Sequence, residues 1–190
     1  SGLAKSGLLI EGALEHYVSK KTFLTAMGRY NSNRINETEF LTLYRNAVPS
    51  NVNVTFNSDP WKVRSFMVGF GTKIMFDDKT NLVTRFMTGY SLASTPAFTA
   101  NLSDGIITVI EEQSSANGGA ISYLLGLGLN MNIANNMKVL LGIDYFTATP
   151  EISDVNFRAT RNGTLVANET FSFSQKIRLI NFSIGLAIPL

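Results

Sequence analysis

The chain has 190 residues, with 16 Lys+Arg against 14 Asp+Glu, one His and no Cys. That length suits one domain, a net charge of +2 without a basic cluster gives no reason to expect a nucleic-acid partner, and the lack of cysteine excludes a disulfide framework and any thiolate metal or redox site. Apolar residues make up 45 % of the sequence, yet no run of twenty occurs, so no transmembrane helix is encoded.

Taken in chain order, seven segments alternate with period two, the signature of strands: 7–18, 22–31, 61–76, 81–94, 119–133, 137–149 and 171–190. The opening "SGLAKSG" carries no charged-then-apolar leader and reads as a processed or truncated start. Three connections are tight, at Ser19–Lys21, Asp77–Thr80 and Ala134–Asn136. The other three, 32–60, 95–118 and 150–170, are long and rich in Asn, Ser and Thr. Short and long connections alternate strictly, as in an antiparallel meander with all turns at one end and all loops at the other. In the third loop, "FRATRNGTLV" sets Asn162-Gly163 between two strand-like runs and predicts a protruding hairpin. In the first loop, "EFLTLYRN" and "NVNVTF" around Pro49 suggest another.

The faces of these strands predict which way they look. Ile121, Tyr123, Leu125, Leu127, Leu129, Met131 and Ile133 form one face of 119–133, opposite Ala120, Ser122, Leu124, Gly126, Gly128, Asn130 and Asn132. Phe66, Val68, Phe70, Ile74 and Phe76 oppose Ser65, Met67, Gly69, Gly71 and Lys73. Each stripe has the length a tilted strand needs to cross a bilayer. The polar face is rich in glycine, which suits a cramped interior better than a solvated surface. The expected fold is therefore all-β: an antiparallel up-and-down transmembrane β-barrel spanning 1–190, with short periplasmic turns and long extracellular loops. In hydrocarbon only such closure pairs every strand edge. Seven visible strands conflict with the even numbers of bacterial barrels, so an eighth is expected to precede Ser1.

The interior phase holds Glu11, Glu15, Arg29, Lys73, Arg85, Lys138 and Asp144. Carboxylates beside bases can serve acid–base chemistry, but unpaired charges in a narrow lumen are costly. They are read as a network that plugs the barrel and leaves no solute pore. Lys62, Arg64, Lys176 and Arg178 stand in the outward phase just above the apolar stripe, where lipopolysaccharide phosphates would meet them. His16 is the single histidine; its outward phase beside a tight turn and an aromatic neighbour, Tyr17, points to an interfacial rather than a catalytic role. Sequons at Asn36, Asn53, Asn101, Asn162 and Asn168 follow from Asn- and Thr-rich loops. No nucleotide, metal or nucleophile-elbow motif occurs, and no cofactor is expected.

The strand motifs "GLLIEGALEHYV", "RSFMVGFGTKIMF", "RFMTGYSL", "SYLLGLGLNMNI", "VLLGIDYF" and "INFSIGLAIPL" resemble the small outer-membrane β-barrel proteins of the Bacteroidota, similar in plan to the OmpA and OmpX barrels. The resemblance implies an outer-membrane location, eight strands and insertion by the Bam machinery. It also implies a structural, recognition or accessory role in a larger envelope complex. Phe182, Ile184, Leu186, Ile188 and Leu190 would then be the terminal insertion signal. The leading expectation is a non-enzymatic barrel; the alternatives are a lipid-modifying enzyme using His16 and a small passive pore.

Overall fold

A computed structural model describes residues 4–77, 79–134 and 137–188. It contains β1 (Ala4–Tyr17), β2 (Thr22–Ile35), α1 (Glu37–Ala47), β3 (Asn53–Ser58), β4 (Trp61–Met75), β5 (Thr80–Ser94) and β6 (Phe98–Ser103). There follow β7 (Thr108–Gln113), β8 (Asn117–Ala134), β9 (Met137–Ala148), β10 (Glu151–Arg161), β11 (Thr164–Ser174) and β12 (Ile177–Ala187). All twelve strands belong to one antiparallel sheet that curls into a half-barrel. Its wall runs β1-β2-β4-β5-β8-β9-β12, the seven long strands that the alternating pattern picks out.

The wall is sheared. One hydrogen-bonded row passes from His16, next to the lower end of β1, through Leu24, Phe70, Phe86, Leu125 and Tyr145 to Ile180, close to the upper end of β12. A row that climbs this far relative to the strand ends means that the strands are tilted, and tilt with stagger is what curls a sheet towards a barrel. Among the described residues β1 pairs only with β2 and β12 only with β9, so these two strands are the free edges of the wall.

Alternation along each strand sorts the side chains between two unlike faces. Phe23, Met67, Met87 and Phe146 on the concave face are 0 % exposed, whereas Phe66, Leu125, Phe182 and Ile184 on the convex face are 60–79 % exposed. The interior glycines fit a cramped space. A Cβ on Gly71 would collide with the Phe23 ring, so a larger residue there would displace a fully buried aromatic.

Above the wall, β3, β6, β7, β10 and β11 form a second layer of pairing, tied to β8 where Gly118 and Gly119 pair with Ile152 and Glu151. The expected third-loop hairpin is β10–β11, with Asn162 at φ 49° and Gly163 at φ 80°, the two left-handed residues of a tight hairpin turn. Two expectations need correction. The segment 171–190 is not one strand, because β11 pairs with β10 and β12 with β9. The break falls at Gln175, whose N–H donates to the Pro150 carbonyl at 3.0 Å, at the proline that separates β9 from β10.

The second correction concerns "EFLTLYRN", which is helix α1 and not a hairpin arm. Helical spacing places Phe40 and Tyr44 on one face with ring centroids 5.0 Å apart, and Phe40 stacks on Phe56 at 4.1 Å and meets Phe98 at 6.0 Å. Glu37 and Glu39 in the first turn and Arg45 in the last complement the helix dipole. "NVNVTF" does contain a strand, β3, but its partner is β6.

Candidate functional site

Two regions carry the polar chemistry of the chain: the hollow of the wall and the rim above its apolar band. In the hollow, Arg29 of β2 and Asp144 of β9 form an ion pair at 3.7 Å, with side chains 0 % and 4 % exposed. The Arg29 guanidinium also lies over the Phe146 ring, 5.4 Å from its centroid. Glu11 pairs with Arg29 in the β1–β2 register, and both Glu11 and Arg85 lie within electrostatic reach of the pair. Arg85, Gly126 and Asp144 share one row, and the glycine makes room: a Cβ there would stand 2.6 Å from Asp144 Oδ1.

The seven sequence-selected charges do not all join. Glu11, Arg29, Arg85 and Asp144 gather in one group, while Lys73 has Lys138 and Glu15 as its electrostatic neighbours. Glu15 is exposed and accepts a hydrogen bond from the Tyr17 hydroxyl at 3.3 Å. An apolar cluster shares the hollow: Met27, Met67, Met87, Leu124 and Phe146 are 0–1 % exposed and pack together. Met67 and Leu124 are inward residues already by the alternation of their strands; Met27, Met87 and Phe146 were not singled out by it. The signal was nonetheless present, since Met27 stands two residues from Arg29, Met87 two from Arg85 and Phe146 two from Asp144, in the same phase.

Neutral polar groups cross the hollow as well. Asn31 Nδ2 donates to Asn181 Oδ1 at 3.1 Å, joining β2 to the far strand β12. Ser91 Oγ is hydrogen-bonded to Ser65 Oγ at 2.6 Å and Ser122 Oγ at 2.7 Å. Several buried polar atoms, among them Arg29 Nε and Nη1, Arg85 Nε and Asn81 Oδ1, have no hydrogen-bond partner among the described residues.

On the convex side Arg64, Lys176 and Arg178 are exposed and Lys62 is half-buried. They form two separate patches, one above Phe66 on β4 and one above Ile180 on β12. His16 is exposed in the convex phase, on the row of Leu24 and Phe70, and among the described residues it has no hydrogen bond or ion pair with an acidic side chain. Phe182, Ile184, Leu186 and Ile188 line the convex face of the last strand, while Leu190 lies outside the described residues.

The upper layer is held by its own polar contacts. The Tyr44 hydroxyl donates to a Glu111 carboxylate oxygen at 2.7 Å; partial burial first, and the Glu111 partner second, hold this phenol well above the usual tyrosine range. Asp104 accepts the backbone N–H groups of Ile106 and Ile107 at 2.9 and 2.7 Å, which keeps its carboxyl below the usual aspartate range. Thr108 N–H donates to Asn162 Oδ1 and Asn162 N–H to the Thr108 carbonyl, both at 2.8 Å, so the tips of the β6–β7 and β10–β11 hairpins are joined. Asn162 entered the sequence reading only as a turn residue and a sequon; the joint depends on two loops meeting and has no local signature.

Among the described residues no group of three or more His, Asp or Glu side chains could hold a metal ion, and no helix is long and apolar enough to cross a membrane. No protein-family model matches the chain, and no curated protein matches it.

Proposed function

We propose that the chain forms the wall of a non-enzymatic transmembrane β-barrel of the bacterial outer membrane, which carries the α1/β3/β6/β7/β10/β11 layer outside the cell as an interaction surface. The observation that carries this reading is the inversion of the two faces. The convex side exposes Phe66, Phe70, Leu125, Leu127, Phe182 and Ile184 in continuous rows, while the concave side buries Arg29, Asp144, Asn31, Ser65 and Asn130. In water that arrangement would expose a very large apolar surface and desolvate two charges; in a bilayer each face meets a suitable environment.

Barrel closure follows from strand direction. In the seven-strand wall β1 and β12 run the same way, so pairing them directly would make a parallel contact in an otherwise antiparallel sheet. One further strand, antiparallel to both, closes an even, eight-stranded barrel and satisfies the two free edges. The apolar cluster and the ion pair in the hollow support a filled barrel without a solute path. On this reading the Bam machinery inserts the chain through its closing strand. The outward cations Lys62, Arg64, Lys176 and Arg178 meet lipopolysaccharide phosphates, and the upper layer contacts other envelope proteins as an accessory subunit.

The test is fractionation of the protein expressed with its complete natural sequence, followed by gel electrophoresis with and without boiling. Recovery in outer membranes, detergent-dependent solubility and a heat-dependent mobility shift are expected. A monodisperse protein soluble without detergent overturns the proposal.

A further inference from the structure

An open groove, about 640 Å³ in volume, crosses the convex face over the upper part of β1, β2, β4 and β5. Its floor is made by Gly12 and Gly28, cross-strand partners in the β1–β2 register. Ile10, Tyr30, Phe66 and Leu92 form its walls, and the exposed guanidinium of Arg64, paired with Tyr30 in the β2–β4 register, stands on the same side of the sheet. The two glycines differ in kind from Gly69 and Gly89 on the concave face. A Cβ at Gly69 or Gly89 would run into the backbone of the neighbouring strand, but at Gly12 and Gly28 a Cβ meets nothing within 4 Å. Packing within the chain therefore does not require glycine at these two positions, although large side chains surround them on the same face. What their absent side chains create is space open to the surroundings.

The geometry points to a seat for one anionic lipid: an acyl chain lies in the Gly12–Gly28 groove between the aliphatic and aromatic walls, and the lipid's phosphate pairs with Arg64. This rests on the membrane reading above and gives it one specific lipid position. Glu11, Arg29 and Ser65 also border the groove, but they belong to the concave phase and the Arg29 side chain is fully buried, so Arg64 is the exposed cation of the lining. An apolar channel with such a cation beside it is complementary to a phosphate-bearing amphiphile, since the cation selects charge and the groove selects a flexible hydrocarbon chain. The groove volume falls in the range of small-ligand sites. Arg64 suits a phosphate because its planar fork can offer two parallel donors.

The experiment compares lipid retention by native mass spectrometry after extraction of the complete protein from cell membranes in mild detergent. The wild type should keep one phosphate-bearing lipid per chain. Gly28→Leu, which puts a side chain into the groove where a Cβ meets nothing within 4 Å, and Arg64→Glu, which reverses the charge, should each reduce the retained fraction by about tenfold or more. Leu127→Ala, on the same face but outside the groove, should retain lipid as the wild type does. An unchanged heat-dependent mobility shift certifies folding in every variant. If Gly28→Leu holds lipid as well as the wild type, or if the wild type holds none, the groove is not a lipid seat while the barrel reading stands. If the wild type is soluble without detergent, both fall.

Discussion

Arg29 and Asp144 meet at 3.7 Å across the hollow, with β4, β5 and β8 between their strands in the sheet. Pairing in register does not bring them together: Arg29 shares its row with Glu11 and Ser65, Asp144 with Gly126 and Asn181. Only the curl and shear of the wall place these two side chains opposite each other. The contact therefore reports the three-dimensional curvature of the sheet, and losing it should be felt by the whole wall.

Asp144→Ala leaves the buried Arg29 guanidinium without its counter-charge and is expected to cost about 3–5 kcal/mol. Replacing both partners, Arg29→Met with Asp144→Leu, should recover most of that loss, because the desolvation of two charges is removed together with their attraction. Urea unfolding in detergent micelles, followed by tryptophan fluorescence, reads both. A double variant no more stable than Asp144→Ala would show that Asp144 is not the principal partner of Arg29.

Leu125 is 60 % exposed on the convex face and neighbours Phe86 and Tyr145 in its row. On the membrane reading, Leu125→Arg should destabilise the protein in phospholipid vesicles by about 2–4 kcal/mol. Removing an exposed leucine from a water-facing surface would instead cost little and improve solubility. Refolding yields into vesicles separate the two outcomes.

Gly163 has φ 80° in the β10–β11 turn. Gly163→Ala forces a Cβ into the left-handed region and should cost about 1 kcal/mol. The effect should be local: hydrogen exchange ought to quicken in β10, β11 and the joined β6–β7 tip, while amides of β4 and β5 keep their protection. Uniform loss of protection would mean that the upper layer and the wall unfold as one unit.

Asp104 is bonded to the N–H groups of Ile106 and Ile107, so its folded pKa lies below its unfolded one. The stability it lends is present above the unfolded value of about 3.9 and is lost as pH falls through the lower folded value. Carboxyl-carbon NMR should show Asp104 titrating below a free aspartate. Asp104→Asn should abolish this part of the acid sensitivity of the β6–β7 tip; an unshifted titration would show that the turn does not hold the carboxylate.

Tyr44 titrates on the opposite side of its ordinary value, raised by burial and by Glu111. In alkaline difference spectra one tyrosine should ionise well above the others, and Tyr44→Phe should remove that late step. The same variant should loosen α1 by about 1 kcal/mol through the lost bond. The late step should also disappear in Glu111→Gln if the carboxylate charge matters more than burial, and persist with a smaller shift if burial dominates, as the order of causes indicates.

The alternation of residues such as Phe66, Val68 and Phe70 against Ser65, Met67 and Gly69 already determined seven long strands, their antiparallel order and the unlike faces of the wall, because a strand has a strict period of two and tight turns alternate with long loops between the strands. The Asn162-Gly163 hairpin was legible for a similarly local reason: few residues accept two successive left-handed conformations. Beyond such local signals the sequence was ambiguous. Phe40 and Tyr44 suit a helix as well as a strand until Phe56 and Phe98 stand beside them, and 171–190 reads as one strand until β9 and β10 divide its partners. Arg29 could be assigned to the interior from its phase, but not to Asp144, and the Gly12–Gly28 groove does not exist until two strands pair in one register. Periodicity is a property of single segments and survives in the sequence; partners across a hollow depend on curl, shear and register, which only the assembled sheet decides.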